Sequence, residues 1–185
     1  MENERKQVKL AKRDSAAFLP LYDHYYPKLY GYLITTTRSR ELAEDITQQS
    51  FLKALEKLDQ YKSRSGATFG SWLFMIAKNE LVDRQRKGGR ETLSDHTDMD
   101  KELSQSSGPL VKLIEDEDDA QKKERLTKIF ASMQNLKDEE REVLLLKYIS
   151  GLKYKDIQKI MNKKPNTLAV LLKRSLEKIR EDLDL

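Results

Sequence analysis

Lys153 to Ile179 reads KYKDIQKIMNKKPNTLAVLLKRSLEKI. Tyr154, Ile157, Ile160 and Met161 recur at helical spacing over about two turns, NKKP interrupts them, and Leu168, Leu172, Leu176 and Ile179 then resume the period. Asn162 tolerates the left-handed backbone and Pro165 suits the first position of a new helix, so the interruption is a tight turn. A short helix, such a turn and a longer helix make a helix-turn-helix. Its outer face gathers Lys163, Lys164, Asn166, Thr167, Val170, Lys173, Arg174 and Lys178. In a docked unit of this shape the first residues of the second helix meet base edges and the flanking cations meet phosphates. That places Asn166, Thr167 and Val170 near the bases and Lys163, Lys164, Lys173 and Arg174 on the backbone. An ordinary helical hairpin would carry the same apolar stripe; the basic outer face is what separates the two readings.

Immediately upstream, Asp138 is a good helix N-cap, Glu139 and Glu140 suit a first turn, Val143 to Ile149 supply an apolar face, and Gly151 stands where a helix end wants a left-handed residue. Regular patterning begins near Lys123, which sets a second module at residues 125–185. Before it the composition changes. Gly88 to Ala120 holds ten acidic residues against three basic ones, mixed with Gly, Ser and Pro. Residues 88–124 therefore read as an acidic flexible tether. Leu110, Val111, Leu113 and Ile114 form a short apolar patch within it that suits docking.

The front module, residues 1–87, is also helical in pattern. Ser15 is placed to cap a first helix bearing Phe18, Leu21, Tyr22 and Tyr25, and Pro27 should kink or restart it. A second helix is expected from about Arg40 to Leu58, with Leu42, Ile46, Phe51, Leu55 and Leu58 on its buried face and Glu41, Glu44, Asp45, Gln48 and Gln49 on its polar face. Such a strip is either solvated surface or a docking face for another protein. Tyr61 to Thr68, YKSRSGAT, is a loop by composition, and Thr68 is an N-cap for the helix TFGSWLFMIAKNELVDRQRK, Thr68 to Lys87. Phe69, Leu73 and Ile76 belong to its core stripe. Trp72, the only tryptophan, falls at the stripe's edge, one turn after the polar loop KSRSG and on a helix whose later turns present Lys78, Asn79, Arg84, Arg86 and Lys87. It is either a packed core residue or a stacking surface for unpaired bases, since an aromatic beside a basic track suits single-stranded nucleic acid.

These patterns make the chain all-α: two small helical domains joined by a tether. Of its 185 residues 36% are charged, and the longest apolar run, Trp72 to Ala77, spans six residues, against roughly 20 for a membrane span. The N-terminus MENERKQVKL has no signal-peptide core, so a cytoplasmic location without membrane insertion is expected. With no cysteine and two histidines, neither thiol nor zinc chemistry is called for, and no catalytic residue, metal or cofactor is expected. Glu115, Asp116, Asp118 and Asp119 would be the ligands of a metal-dependent nuclease, but a charged linker explains them better.

Three segments resemble the extracytoplasmic-function sigma factors, small promoter-specificity subunits of bacterial RNA polymerase. AEDITQQSFLKALEKL, Ala43 to Leu58, is similar to that family's acid-rich helix. WLFMIAKNELVDRQRK, Trp72 to Lys87, resembles its promoter-melting helix, and Leu136 to Glu181 its C-terminal helix-turn-helix. The resemblance implies that the first domain binds the clamp of the polymerase core through Glu44, Asp45, Gln48, Gln49 and Phe51. It would open and hold the minus-ten element with Lys62, Ser63, Arg64, Ser65 and Gly66, which take up a flipped base, together with Trp72, Lys78, Asn79, Arg84, Arg86 and Lys87. The second domain would read the minus-thirty-five element as duplex, and an anti-sigma factor is a further implied partner. Asn162 and Ala169 depart from the family's usual glycine and basic residue, and no proline stands near Lys137. The competing reading is a free-standing helix-turn-helix regulator that acts without polymerase and leaves the acidic helix idle.

Overall fold

A computed structural model describes residues 3–62, 68–87 and 120–184. Residues 63–67 and 88–119, with the apolar patch of the tether and the acids at 115–119, lie outside the described residues. No strand occurs among those that are described. The chain divides into two compact units that part at Ser106 and Ser107.

In the first unit, α1 (Glu4–Ala11) precedes a 3-10 turn (Ser15–Phe18), α2 (Leu19–Thr37), α3 (Arg40–Glu56), a second 3-10 turn (Leu58–Gln60) and α4 (Phe69–Lys87). The cap of the first turn is Asp14, whose carboxylate accepts from the Ala16 amide at 2.9 Å, and not the expected Ser15. Pro27 neither ends nor restarts its helix: α2 runs through it. Burial of Leu21, Leu29 and Leu33 against the neighbouring helices outweighs the missing amide of Pro27. Arg38 ends α2 in the left-handed region and Ser39 starts α3 by accepting from the Leu42 amide at 3.3 Å.

The core of this unit is aromatic. Phe51 of α3 lies 6.4 Å from Phe18, 4.7 Å from Tyr22 and 6.3 Å from Tyr26, and Phe69 of α4 lies 6.0 Å from Phe18 and 5.6 Å from Tyr25, centroid to centroid. On α3, Ile46 and Phe51 are buried as expected and so is Leu58 just beyond it, but Leu55 turns outward at 38% exposure beside Leu52 at 53%. The helix is α4-facing on one side and α2-facing on another, and Leu55 points to neither. Gly70 admits Tyr25 onto the first turn of α4, where a Cβ would meet the ring at 2.5 Å.

The second unit comprises α5 (Ala120–Gln134), α6 (Asp138–Leu144), a π-turn (Leu145–Ile149), α7 (Tyr154–Met161) and α8 (Pro165–Asp182). Residues 120–124, placed in the tether by composition, are the first residues of α5. Asp138 is the first helical residue of α6 and not its cap: Lys137 precedes it in extended conformation, and the Glu140 carboxylate accepts the Lys137 amide at 3.1 Å. Gly151 has φ +63 with open space where a Cβ would go, so its backbone angle is what asks for glycine. Leu145, Leu146, Ile157 and Leu168 fill the centre.

Candidate nucleic-acid interface

The turn between α7 and α8 is closed by Asn162, at φ 50 and ψ 45, while the Lys163 amide reaches back to the Gln158 carbonyl at 3.1 Å. This is a Schellman-type end in which asparagine replaces glycine without loss of the bond pattern. Pro165 then opens α8 with Lys164 extended before it. Leu168, Leu172 and Ser175 face the core, which leaves Asn166, Thr167, Val170 and Arg174 exposed on one side, with Lys164 at its head. Two of the cations on this rim have internal partners. Lys163 bonds Glu139 at 2.6 Å, and Lys173 lies 3.5 Å from Glu177. Lys178, grouped with them by sequence, instead grips the buried Glu140 through both carboxylate oxygens at 2.7 and 2.8 Å. Away from this face Leu126, Ile129, Phe130, Tyr148 and Leu176 line an apolar groove that periodicity alone did not reveal.

In the first unit, α4 starts from two caps. Thr68 Oγ1 accepts from the Ser71 amide at 3.0 Å, as its sequence position suggests, and Glu4 Oε1 accepts from the Phe69 amide at 2.8 Å. Trp72 is half-buried, with its ring 5.1 Å from Tyr61 and 5.7 Å from Phe69. Packing and presentation therefore coexist at Trp72. At 100° per residue, Met75, Asn79 and Arg86 share its side of α4, whereas Lys78 and Arg84 stand about 120° away to either side. Arg84 turns toward α3 and pairs with Asp45. Lys62 is exposed, Lys87 closes α4, and Ser63, Arg64, Ser65 and Gly66 lie outside the described residues. In the sequence Tyr61 is the first residue of a loop, and its closeness to Trp72 exists only after folding.

On α3, Gln48 is exposed and Glu44, Asp45 and Gln49 are half-exposed, with Glu44 held by Arg40 at 2.8 Å. Phe51 departs from the expectation of a surface contact: at 4% exposure it is covered by Tyr22, Tyr26 and Phe18 and supports the strip from beneath. Leu52 and Leu55 are the apolar side chains that reach the surface there.

The Sigma-70 region 2 model matches residues 21–91 and the Sigma-70 region 4 model matches residues 126–179. The chain is 30% identical over 163 residues to the ECF RNA polymerase sigma factor SigM of Bacillus subtilis, covering 86% of this chain and 91% of that protein. It is 29% identical over 186 residues to SigW of the same organism, covering 97% and 96%. Its fold is similar to that of the sigma factor RpoE solved in complex with the anti-sigma factor NepR from Bartonella quintana, with TM-score 0.64, 23% identity and coverage of 91% and 97%. Two family regions in order and full-length relatives leave one assignment: this chain belongs to the extracytoplasmic-function (ECF) sigma factors of the sigma-70 family.

Proposed function

We propose that the chain is an initiation subunit that binds bacterial RNA polymerase core, selects a promoter and opens it, with catalysis left to the polymerase. The observation that carries this reading is the pairing, in one chain, of an exposed helix-turn-helix face with an aromatic edge of Trp72 and Tyr61 in the unit of residues 3–87, which shares its side of α4 with Arg86. The first suits an intact major groove. The second suits separated strands, whose unpairing costs a few kcal/mol that base capture offsets.

In this reading Lys163, Lys164, Lys173 and Arg174 meet phosphates of the minus-thirty-five duplex while Asn166, Thr167 and Val170 face its bases. Trp72, Tyr61, Asn79 and Arg86 meet the minus-ten strand, with Lys78, Arg84 and Lys87 on its backbone and Ser63 to Gly66 as the pocket for the flipped base. Glu44, Asp45, Gln48 and Gln49, joined by Leu52 and Leu55, form the contact with the core enzyme, and residues between the two family regions tether the units. No described helix is long and apolar enough to cross a membrane, which suits work at the chromosome. An anti-sigma factor that covers these faces is proposed on the strength of the RpoE and NepR complex.

Run-off transcription by core polymerase over a promoter library tests the proposal. Transcripts should appear only with the protein, should fall sharply with Trp72→Ala, and should be lost with Asp45→Ala through failure of core binding. Equal transcripts with and without the protein, or promoter binding by the chain alone as tight as by the complex, would favour a free-standing regulator.

A further inference from the structure

Tyr61 and Trp72, whose rings lie 5.1 Å apart, come from chain segments on either side of residues 63–67, so no single helix fixes one against the other. Both segments are held by the same short helix. Lys12, just past the end of α1, donates to the carbonyls of Asp59 at 3.1 Å and Tyr61 at 2.7 Å. Glu4, in the first turn of α1, accepts the Phe69 amide at 2.8 Å with one oxygen and the Tyr25 hydroxyl with the other. Val8 and Ala11, 4% and 5% exposed, seat α1 between these two grips. Eight residues of helix span about 12 Å, so the two charged ends are set apart by a rigid rod. The match to the region 2 model starts at residue 21, which leaves α1 outside the part shared with that model.

We infer that Glu4 and Lys12 are positioning residues for strand capture: α1 clamps the two stems that carry Tyr61 and Trp72 and sets the placement of the joint ring surface that an unpaired base meets. The inference rests on the proposed role of the first unit in holding separated strands. A stacking surface assembled from two segments loses its fit when either stem drifts by an ångström, and misplacement of that size costs binding far beyond the bond removed. Gly70 belongs to the same arrangement, since it lets Tyr25 lie close enough for its hydroxyl to hold Glu4. The carboxylate also sits at the positive end of the α4 dipole, which adds to its hold on Phe69.

The test uses the full chain assembled with core polymerase and a labelled single-stranded oligonucleotide carrying the non-template minus-ten sequence of a promoter selected by the wild-type protein. Glu4→Ala and Lys12→Met should each weaken uptake of that strand about tenfold while leaving affinity for core polymerase unchanged. Glu4→Gln, which keeps an acceptor for the Phe69 amide, and Lys12→Arg, which keeps donors for the two carbonyls, should recover most of the loss. Wild-type strand uptake alongside unimpaired uptake by both loss variants would overturn the inference, as would an equal fall in core affinity, which would mark a purely structural role. Failure of the wild-type complex to bind the strand would instead overturn the proposed function itself.

Discussion

Arg141 is a buried cation whose work is architectural. Its guanidinium donates to the carbonyls of Met133 at 3.0 Å, Gln134 at 3.0 Å and Leu136 at 2.8 Å, closing the end of α5, and pairs with Asp138 at 3.3 Å. Arg141→Met strands these carbonyls, and we expect a loss of about 3 kcal/mol in chemical denaturation of the second unit. Lysine should restore little, because an ammonium lacks the planar fork. Next to it, Glu140 is held below the ordinary carboxylate range, chiefly by the hydrogen bond from Lys178 and against the opposing effect of its burial, with the Lys137 amide assisting. A depressed folded value means stability that is fully present above the ordinary glutamate pKa of about 4.3 and is lost as the pH falls through the lower folded value. Thermal unfolding followed from pH 6 to pH 3, on the order of the carboxylate range, should show this dependence, and Glu140→Gln should flatten it. None of these contacts was legible in the sequence: Lys178 grouped with the basic outer face of the helix-turn-helix and Arg141 carried no signal, because their partners become neighbours only after folding.

At the scale of elements, periodicity and capping chemistry located α7 and α8 through one dominant apolar stripe each, and α3 and α4 through their recognisable starts at Ser39 and Thr68. They failed where tertiary contacts decide. α1 carries only Val8 and Ala11 as buried residues, too little pattern to stand out, yet its polar side chains organise the start of α4. The π-turn at Leu145–Ile149 has no residue signature; it shows in the Ser150 amide reaching the Leu145 carbonyl at 2.9 Å. Pro27 looked like a break, and the helix persists because its neighbours are buried on the other side. Pro27→Ala should therefore stabilise the first unit by about 1 to 3 kcal/mol, read as a rise in melting temperature, by supplying the amide that α2 lacks. For the candidate site, residue types were readable at the helix-turn-helix, where all members share one turn and one helix. They were less so around Trp72, whose partner Tyr61 and whose divergence from Arg84 depend on how α4 meets α3 and the second 3-10 turn.

For the molecule as a whole, the net charge of +4 conceals an acidic stretch between two more basic units. In the proposed reading each unit offers few phosphate contacts. The four cations of the helix-turn-helix rim, all engaged, would give a slope of about −3 to −4 for log affinity against log salt, and titration of a promoter duplex with the isolated protein should yield weak binding with a slope no steeper than that. In complex with core polymerase the affinity should rise by orders of magnitude, because two modest grips on one DNA act together. Arg84 adds something to this economy of contacts. Its partner Asp45 lies on the helix proposed to meet the core enzyme, so in the lone chain a side chain proposed for the strand already has a counterion of its own. On the proposed division of roles, a protein that takes up that carboxylate leaves the guanidinium without its internal counterweight and open to the strand.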